Sequence, residues 1–332
     1  MNFYQRDFLT LLDYNKEEIE ALIDLGIRFK KLKNSNVSHK LLKGKNVALI
    51  SEFNSIKTRC AFEVSAYDLG MSVSVLSLND EECKRDIFID NARILSSIYD
   101  GIGYYGFCQD KLDELVKYSG IPVWNFLTDK FYPIQLLADF MTIKEHFGNF
   151  KNKKIVYCGN GNSNVCSSLM IICSKLGIDF ICCSPKELWP NNEVFNECKS
   201  FAEENKAKIV FEEDITRATF MADIIYTNSW VSLGESDNLW EERIKLLSPY
   251  QVNKKIMDNA KSKAIFLHPL PASHNKDSLI GKEIYEKYGI EELEVTNEVF
   301  ESNQSKVFEQ TENYLHCLKA VMCASLYKGV IK

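Results

Sequence analysis

The stretch "NVALISEFNSIKTRCAFEVSAYDLG", residues 46–70, decides the fold. It opens as a short apolar run of strand length, passes through a polar turn, and continues with apolar residues at helical spacing until Gly70. A strand that feeds a helix through a tight turn is the first half of a βαβ unit, and so of a parallel sheet. Ser55 or Thr58 can cap the helix. Two readings of the turn are open. Free backbone N–H groups, two hydroxyls and the cations of Lys57 and Arg59 would make a phosphate-sized cradle. The same residues would also serve as a solvated turn with ordinary caps.

The pattern recurs outward from this unit. Strands are expected at 46–50, 73–77, 100–105 and 122–126 in the first half, and at 154–158, 179–183, 207–212, 223–227 and 264–268 in the second, with helical segments between them. The fold class is therefore α/β, with two doubly wound parallel-sheet domains. A long helix near 136–147, ended by Gly148 and a lysine-rich turn, marks the boundary. Residues 1–147 form the first domain and 148–309 the second. The last helix follows the completed second sheet, and residues 310–332 are expected to pack back on the first domain.

Composition bounds the function. The chain has 332 residues, 45% hydrophobic and 26% charged, which is enough for two soluble cores of ordinary size. A net charge of -6 gives no basic stripe for nucleic acid. No run approaches the ~18 apolar residues of a membrane span, and the start lacks the pattern of a signal peptide, so the protein is read as cytoplasmic with no membrane partner. Eleven cysteines occur, none in a C-x-x-C pair, and many (Cys158, Cys166, Cys173, Cys182, Cys183) fall in apolar patterns where a reduced thiol behaves as a small hydrophobe. A structural metal is not expected.

Three more turns follow strands, where parallel sheets present their ligand sites. "YCGNGNSNVCSSLM" (157–170) carries Gly159 and Gly161, with Asn164 where a dinucleotide fingerprint would have its third glycine. It suits either a nicotinamide cofactor or a small polar ligand held by Asn164. "FLHPLPASH" (266–274) puts Pro269 and Pro271 between His268 and His274, as a rigid turn or a catalytic loop, with a cis Leu270–Pro271 bond expected. "YTNSWVSLGE" (226–235) ends a strand and carries Asn228, Ser232, Leu233 and Gly234.

In order and over nearly the whole chain, these segments resemble the ornithine carbamoyltransferases, within the aspartate/ornithine carbamoyltransferase superfamily. "SIKTR" (55–59) is similar to that family's Ser-Thr-Arg-Thr-Arg turn, and "YPIQLLADFMTIKEH" (132–146) to its His-Pro-x-Gln segment and interdomain helix. "HPLPASH" is similar to its His-Cys-Leu-Pro loop, "YTNSWVSLGE" to its Asp-x-x-x-Ser-Met-Gly loop, and residues 294–322 to its C-terminal segment. The resemblance implies a carbamoyl-phosphate domain and an amino-acid domain joined by two helices. It also implies homotrimers or multiples of them, two small-molecule substrates, and no metal or organic cofactor. The reaction implied is attack of the amine of ornithine, or of a related amino acid, on the carbonyl of carbamoyl phosphate or an analogue, with phosphate leaving.

Carried over position by position, the resemblance gives Ser55, Lys57, Thr58, Arg59 and Gln135 to the acyl donor, Asn164, Asn228 and Ser232 to the amino acid, and Leu270 and Leu233 to substrate binding. Arg59, His268 and Gln135 are the expected catalytic residues. Several positions depart from the pattern. Ile56 and Lys57 stand for Thr and Arg, Tyr105 and Tyr314 for two arginines, Tyr132 for His, Asn228 for Asp and Pro269 for Cys. The family's mobile loop has no recognisable counterpart in "SLNDEECKRD" (77–86), although Lys84 and Arg85 there could supply a cation.

Charge-assisted hydrogen bonds contribute roughly 1.5–3 kcal/mol each, so two lost arginines cost about 3–6 kcal/mol, or two to four powers of ten in affinity for a dianion. The lost His removes a donor worth about 10²-fold in rate. The expectation is a diverged ornithine-type carbamoyltransferase with a weakened carbamoyl-phosphate site. The alternative is a catalytically silent paralogue that binds an amino acid or a partner protein.

Overall fold

The structure, a computed structural model, describes residues 1–77, 88–232 and 234–330. Residues 78–86 of the expected mobile loop, with Lys84 and Arg85, lie outside the described residues, as does Leu233. Two compact units divide the chain, residues 1–142 with 311–332, and residues 143–310. The changeover thus falls inside a helix, five residues before the glycine-marked boundary expected from the sequence. The residues on either side of the crossing, 136–143, are all buried and mostly apolar, so no composition shift betrays it.

In the first unit the order is α1 (Lys16–Asn34), β1 (Asn46–Ser51), α2 (Ile56–Leu69), β2 (Ser72–Ser77), α3 (Phe88–Ile98), β3 (Gly101–Tyr105), α4 (Gln109–Ser119) and β4 (Val123–Leu127). Helix α5 (Pro133–Phe147) then leaves it, and α13 (Val307–Leu326) returns to it. The four strands form a parallel sheet in the order β2-β1-β3-β4. Val47, Ala48, Leu49 and Ile50 of β1 are all buried, as expected for a central parallel strand covered on both faces. Helix α2 begins at Ser55, whose Oγ accepts the Thr58 N–H at 3.2 Å, and stops at Gly70, where φ is 87°.

Helices α1, α5 and α13 meet at Gly26. A side chain there would collide with Met141 Sδ at 3.2 Å and Cys317 Sγ at 3.3 Å, so the glycine permits the close approach. Helix α13 buries Tyr314, Cys317, Leu318, Val321 and Met322 in this unit. Asn313 Nδ2 donates to Thr142 Oγ1 at 2.9 Å, and Trp124 Nε1 donates to Ser325 Oγ at 2.9 Å.

The second unit runs β5 (Lys154–Cys158), α6 (Asn164–Leu176), β6 (Asp179–Cys183), α7 (Asn192–Asn205), β7 (Ile209–Glu212), α8 (Ile215–Thr219), β8 (Ile224–Thr227), α9 (Trp240–Leu247), α10 (Lys254–Asn259), β9 (Ile265–Leu267), α11 (Leu279–Tyr288) and α12 (Asn297–Phe300). Its parallel sheet has the order β7-β6-β5-β8-β9. Cys158, Cys166, Cys173, Cys182 and Cys183 are buried free thiols in this core. Among the described residues no helix is long and apolar enough to cross a membrane.

Candidate active site

In each sheet the strand order reverses once, and a reversal leaves a crevice at the carboxyl ends of the two strands that flank it. In the first unit those strands are β1 and β3. The turn after β1 carries Ser55, Lys57 and Thr58, and β3 ends on Tyr105. In the second unit they are β5 and β8, followed by Asn160–Asn164 and by Asn228–Ser232. The chain order expected for the site is therefore realised as two crevices, one per unit.

The first crevice is built around Lys57. Its Nζ donates to Gln135 Oε1 at 3.0 Å and to the Tyr132 hydroxyl at 3.1 Å. The same ammonium stands 5.5 Å from the Tyr132 ring centroid and 5.2 Å from that of Tyr314, within cation–π range of both. Gln135 in turn donates through Nε2 to the buried Asp139 at 2.7 Å. Burial lowers the Lys57 pKa to about 8, against the raising influence of Tyr105 and Asp139. Asp139 escaped the sequence reading, although it lies one turn beyond Gln135 on the same helix face, which is a legible signal.

Tyr105, Tyr132 and Tyr314, the tyrosines expected at positions of family cations and an imidazole, are all buried. Burial pushes the Tyr105 phenol up to about 12, offset in part by the Ser55 and Thr58 hydroxyls and by Lys57. Tyr132 and Tyr314 are raised further for the same reason, so all three are neutral donors at physiological pH. Ser55 Oγ donates to Thr58 Oγ1 at 3.0 Å. Thr58 lies beside the Tyr314 hydroxyl, yet that hydroxyl is buried without a hydrogen-bond partner.

Arg59 does not join this cluster. Its side chain is 65% exposed and its Nε donates to Glu63 at 2.9 Å, one turn along α2. Residues two apart on a helix are about 200° apart around its axis, so Lys57 and Arg59 cannot both face one crevice. The catalytic role expected for Arg59 finds no support in this placement. Ile56, 86% exposed, also points away.

In the second unit Ser163 rather than Asn164 caps α6, its Oγ accepting the Cys166 N–H at 3.2 Å. Asn164 is the first helical residue and is buried. Gly161 is required by packing, since a Cβ there would sit 2.6 Å from the Leu188 carbonyl. Asn228 is partly buried at the end of β8. The Ser232 N–H donates to Glu235 Oε2 at 2.6 Å, and Arg243 Nη2 holds the other carboxylate oxygen at 3.1 Å, which fixes this loop.

His268 is fully buried after β9. Its Nδ1 lies 2.7 Å from the Pro269 carbonyl and its Nε2 lies 3.1 Å from Glu294 Oε1, so both ring nitrogens face acceptors. Burial alone would raise the Glu294 pKa, but His268 and the Ser273 N–H at 2.6 Å hold it below the usual carboxylate value. The side chain expected to be catalytic is thus engaged on both nitrogens within its own unit. Pro269 is buried, Leu270 packs against the core, and the Leu270–Pro271 bond is cis as expected. Glu294 lies 26 residues from its partner, and nothing local in the sequence marks the pair.

Two parallel α/β units linked by shared helices, each with a crevice at its strand reversal, define a two-domain α/β class with one candidate ligand crevice per domain. Residues 6–145 match the aspartate/ornithine carbamoyltransferase carbamoyl-P binding domain, and residues 151–325 match the Asp/Orn binding domain. The chain is 48% identical over 326 residues to the catabolic ornithine carbamoyltransferase of Treponema denticola, covering 98% of this chain and 96% of that protein. It is 46% identical to the ornithine carbamoyltransferase of Staphylococcus aureus strain Newman, covering 98% of each. The solved ornithine carbamoyltransferase of Pyrococcus furiosus superposes with a TM-score of 0.89 at 36% identity over the full length of both chains. The chain belongs to the aspartate/ornithine carbamoyltransferase family, on its ornithine branch, a family of carbamoyltransferase enzymes.

Proposed function

We propose that this protein transfers a carbamoyl group from carbamoyl phosphate, or an analogue, to the amine of ornithine or a related amino acid, through an acyl-donor site that grips phosphate weakly. The carrying observation is the retention of the helix-head frame of Ser55, Thr58 and Gln135 at the first strand reversal, in a chain whose relatives are ornithine carbamoyltransferases. In this reading Lys57, Ser55, Thr58 and Gln135 orient the acyl donor, and Asn164, Asn228 and Ser232 hold the amino acid. Orientation supplies most of the rate, and the single lysine gives less stabilisation of the leaving phosphate than a set of arginines would. A citrulline assay on the folded protein at saturating carbamoyl phosphate and ornithine tests it. Slow turnover with a high KM for carbamoyl phosphate is expected, and no turnover overturns it. The trimer suggested by the family resemblance is checked by sedimentation on the same sample.

A second reading, a silent paralogue that binds only an amino acid, is favoured by one observation. The Lys57 ammonium is already engaged by Gln135 and Tyr132, while Arg59 is turned to Glu63. Calorimetry separates the two. Ornithine binding without any response to phosphate or carbamoyl phosphate selects the silent form, and phosphate binding selects the enzyme.

A further inference from the structure

The geometry points to Lys57 as a covalent modification site, an amine that takes up a carbamoyl group from isocyanic acid or a related carbamoyl electrophile and becomes an uncharged N-carbamoyl-lysine. Three observations carry it. First, the ammonium has hydrogen bonds only to neutral acceptors, Gln135 Oε1 and the Tyr132 hydroxyl, and among the described residues no carboxylate pairs with it. Lys319, buried elsewhere in this unit, is different, because its Nζ lies 2.9 Å from Asp68 Oδ2 and so has a carboxylate partner. Second, Lys57 stands against the faces of Tyr132 and Tyr314, a setting that accommodates a flat, neutral urea as well as a cation. Third, the buried Tyr314 hydroxyl, which makes no close hydrogen bond although Thr58 lies beside it, can donate to the oxygen that the modification would add.

The chemistry balances. The neutral amine of Lys57 attacks the carbon of H–N=C=O, a new N–C bond forms, and the C=N π pair moves to the distal nitrogen. That nitrogen receives the proton given up by the attacking amine, which leaves a urea. With carbamoyl phosphate the C–O bond breaks instead, and phosphate departs with the bonding pair and the proton. In either product the Lys57 nitrogen keeps one N–H for Tyr132 or Gln135. Attack needs the unprotonated amine, and the lowering of Lys57 to about 8 by burial makes that form far commoner here than on exposed lysines near 10.4. Modification would remove the positive charge that the first crevice carries on this residue. The inference stands apart from the proposed transfer to ornithine, since isocyanic acid needs no phosphate-binding site.

The folded protein is incubated with cyanate at pH 7.5, digested, and each lysine-containing peptide is followed by mass spectrometry. Lys57 is expected to gain its carbamoyl group about tenfold or more faster than the exposed Lys254 and Lys282, the gain set by its larger neutral fraction. The advantage should vanish in guanidinium chloride. Its rate should level off above pH ~8 while the exposed lysines keep rising. A Lys57 rate equal to or below theirs in the folded protein overturns the inference. So does an advantage that survives unfolding, or a Lys57→Arg protein whose corresponding peptide is modified just as fast.

Discussion

Lys57 Nζ stands 3.0 Å from Gln135 Oε1, and through that amide it reaches the buried Asp139 carboxylate without touching it. A cation held by neutral groups, with Asp139 reached only through Gln135, carries a desolvation cost that is relieved only in part.

That cost sets a pH dependence. Lys57 titrates near 8 when folded and near 10.4 when unfolded, so the charged form is penalised in the folded state. The penalty is full below pH 8, shrinks as pH rises through the window between the two values, and is gone above it. Lys57→Met should therefore gain stability over the wild type at pH 7, relative to the same comparison at pH 10.5, by up to about 3 kcal/mol. Denaturant midpoints of both proteins at the two pH values give this double difference, and a difference that does not change with pH would contradict it.

Two tyrosines of the same crevice should respond in opposite directions. Tyr314→Phe deletes a buried hydroxyl that has no partner and should be neutral or stabilising by about 1 kcal/mol, whereas Tyr132→Phe deletes an acceptor of a charged donor and should cost about 1–2 kcal/mol. Paired chemical denaturation curves decide it, and equal effects of the two substitutions would be the wrong outcome.

In the second unit, Glu294→Gln removes the anion that faces His268 and accepts the Ser273 N–H, and losing hydrogen bonds to a charged group of this kind costs roughly 1.5–3 kcal/mol. The Glu294 pKa is lowered on folding, so its contribution is present above the ordinary carboxylate value and fades as pH falls below it. Acid titration of stability should accordingly be shallower in Glu294→Gln than in the wild type below pH ~4.

Adding cations to the first crevice should raise anion affinity. The combination of Lys57→Arg, Tyr105→Arg and Tyr314→Arg is expected to tighten phosphate binding by about two to four powers of ten, at roughly 1.5–3 kcal/mol per charge-assisted bond. Titration calorimetry with inorganic phosphate measures this, with ornithine as the ligand whose affinity should stay unchanged. Thermal unfolding checks that the three buried guanidinium groups are tolerated.

Much of this was legible in the sequence, for local reasons. Each of the nine expected strands falls on an observed one, because a β-branched run between turn residues is a short-range signal. Ser55 as a cap and Gly70 as a stop are likewise local. The convergence of Lys57, Gln135, Tyr132 and Tyr314 was legible only as a likeness of motifs, since 257 residues separate the first from the last. The outward turn of Arg59 could have been read from helix geometry alone. The pairing of His268 with Glu294 could not, because an acid among apolar neighbours gives no hint of which distant imidazole it will meet.

The first unit is discontinuous, with residues 311–332 supplying α13 to a body otherwise made from residues 1–142. During synthesis, then, residues 1–142 emerge before residues 143–310 but lack Tyr314, Lys319 and the thiol of Cys317 that meets Gly26 until α13 has been made. The second unit can complete its core first, while the first waits with an unfilled helical slot. Loss of α13 would thus damage the unit whose other residues are 1–142, and leave intact the unit that directly precedes it in the chain.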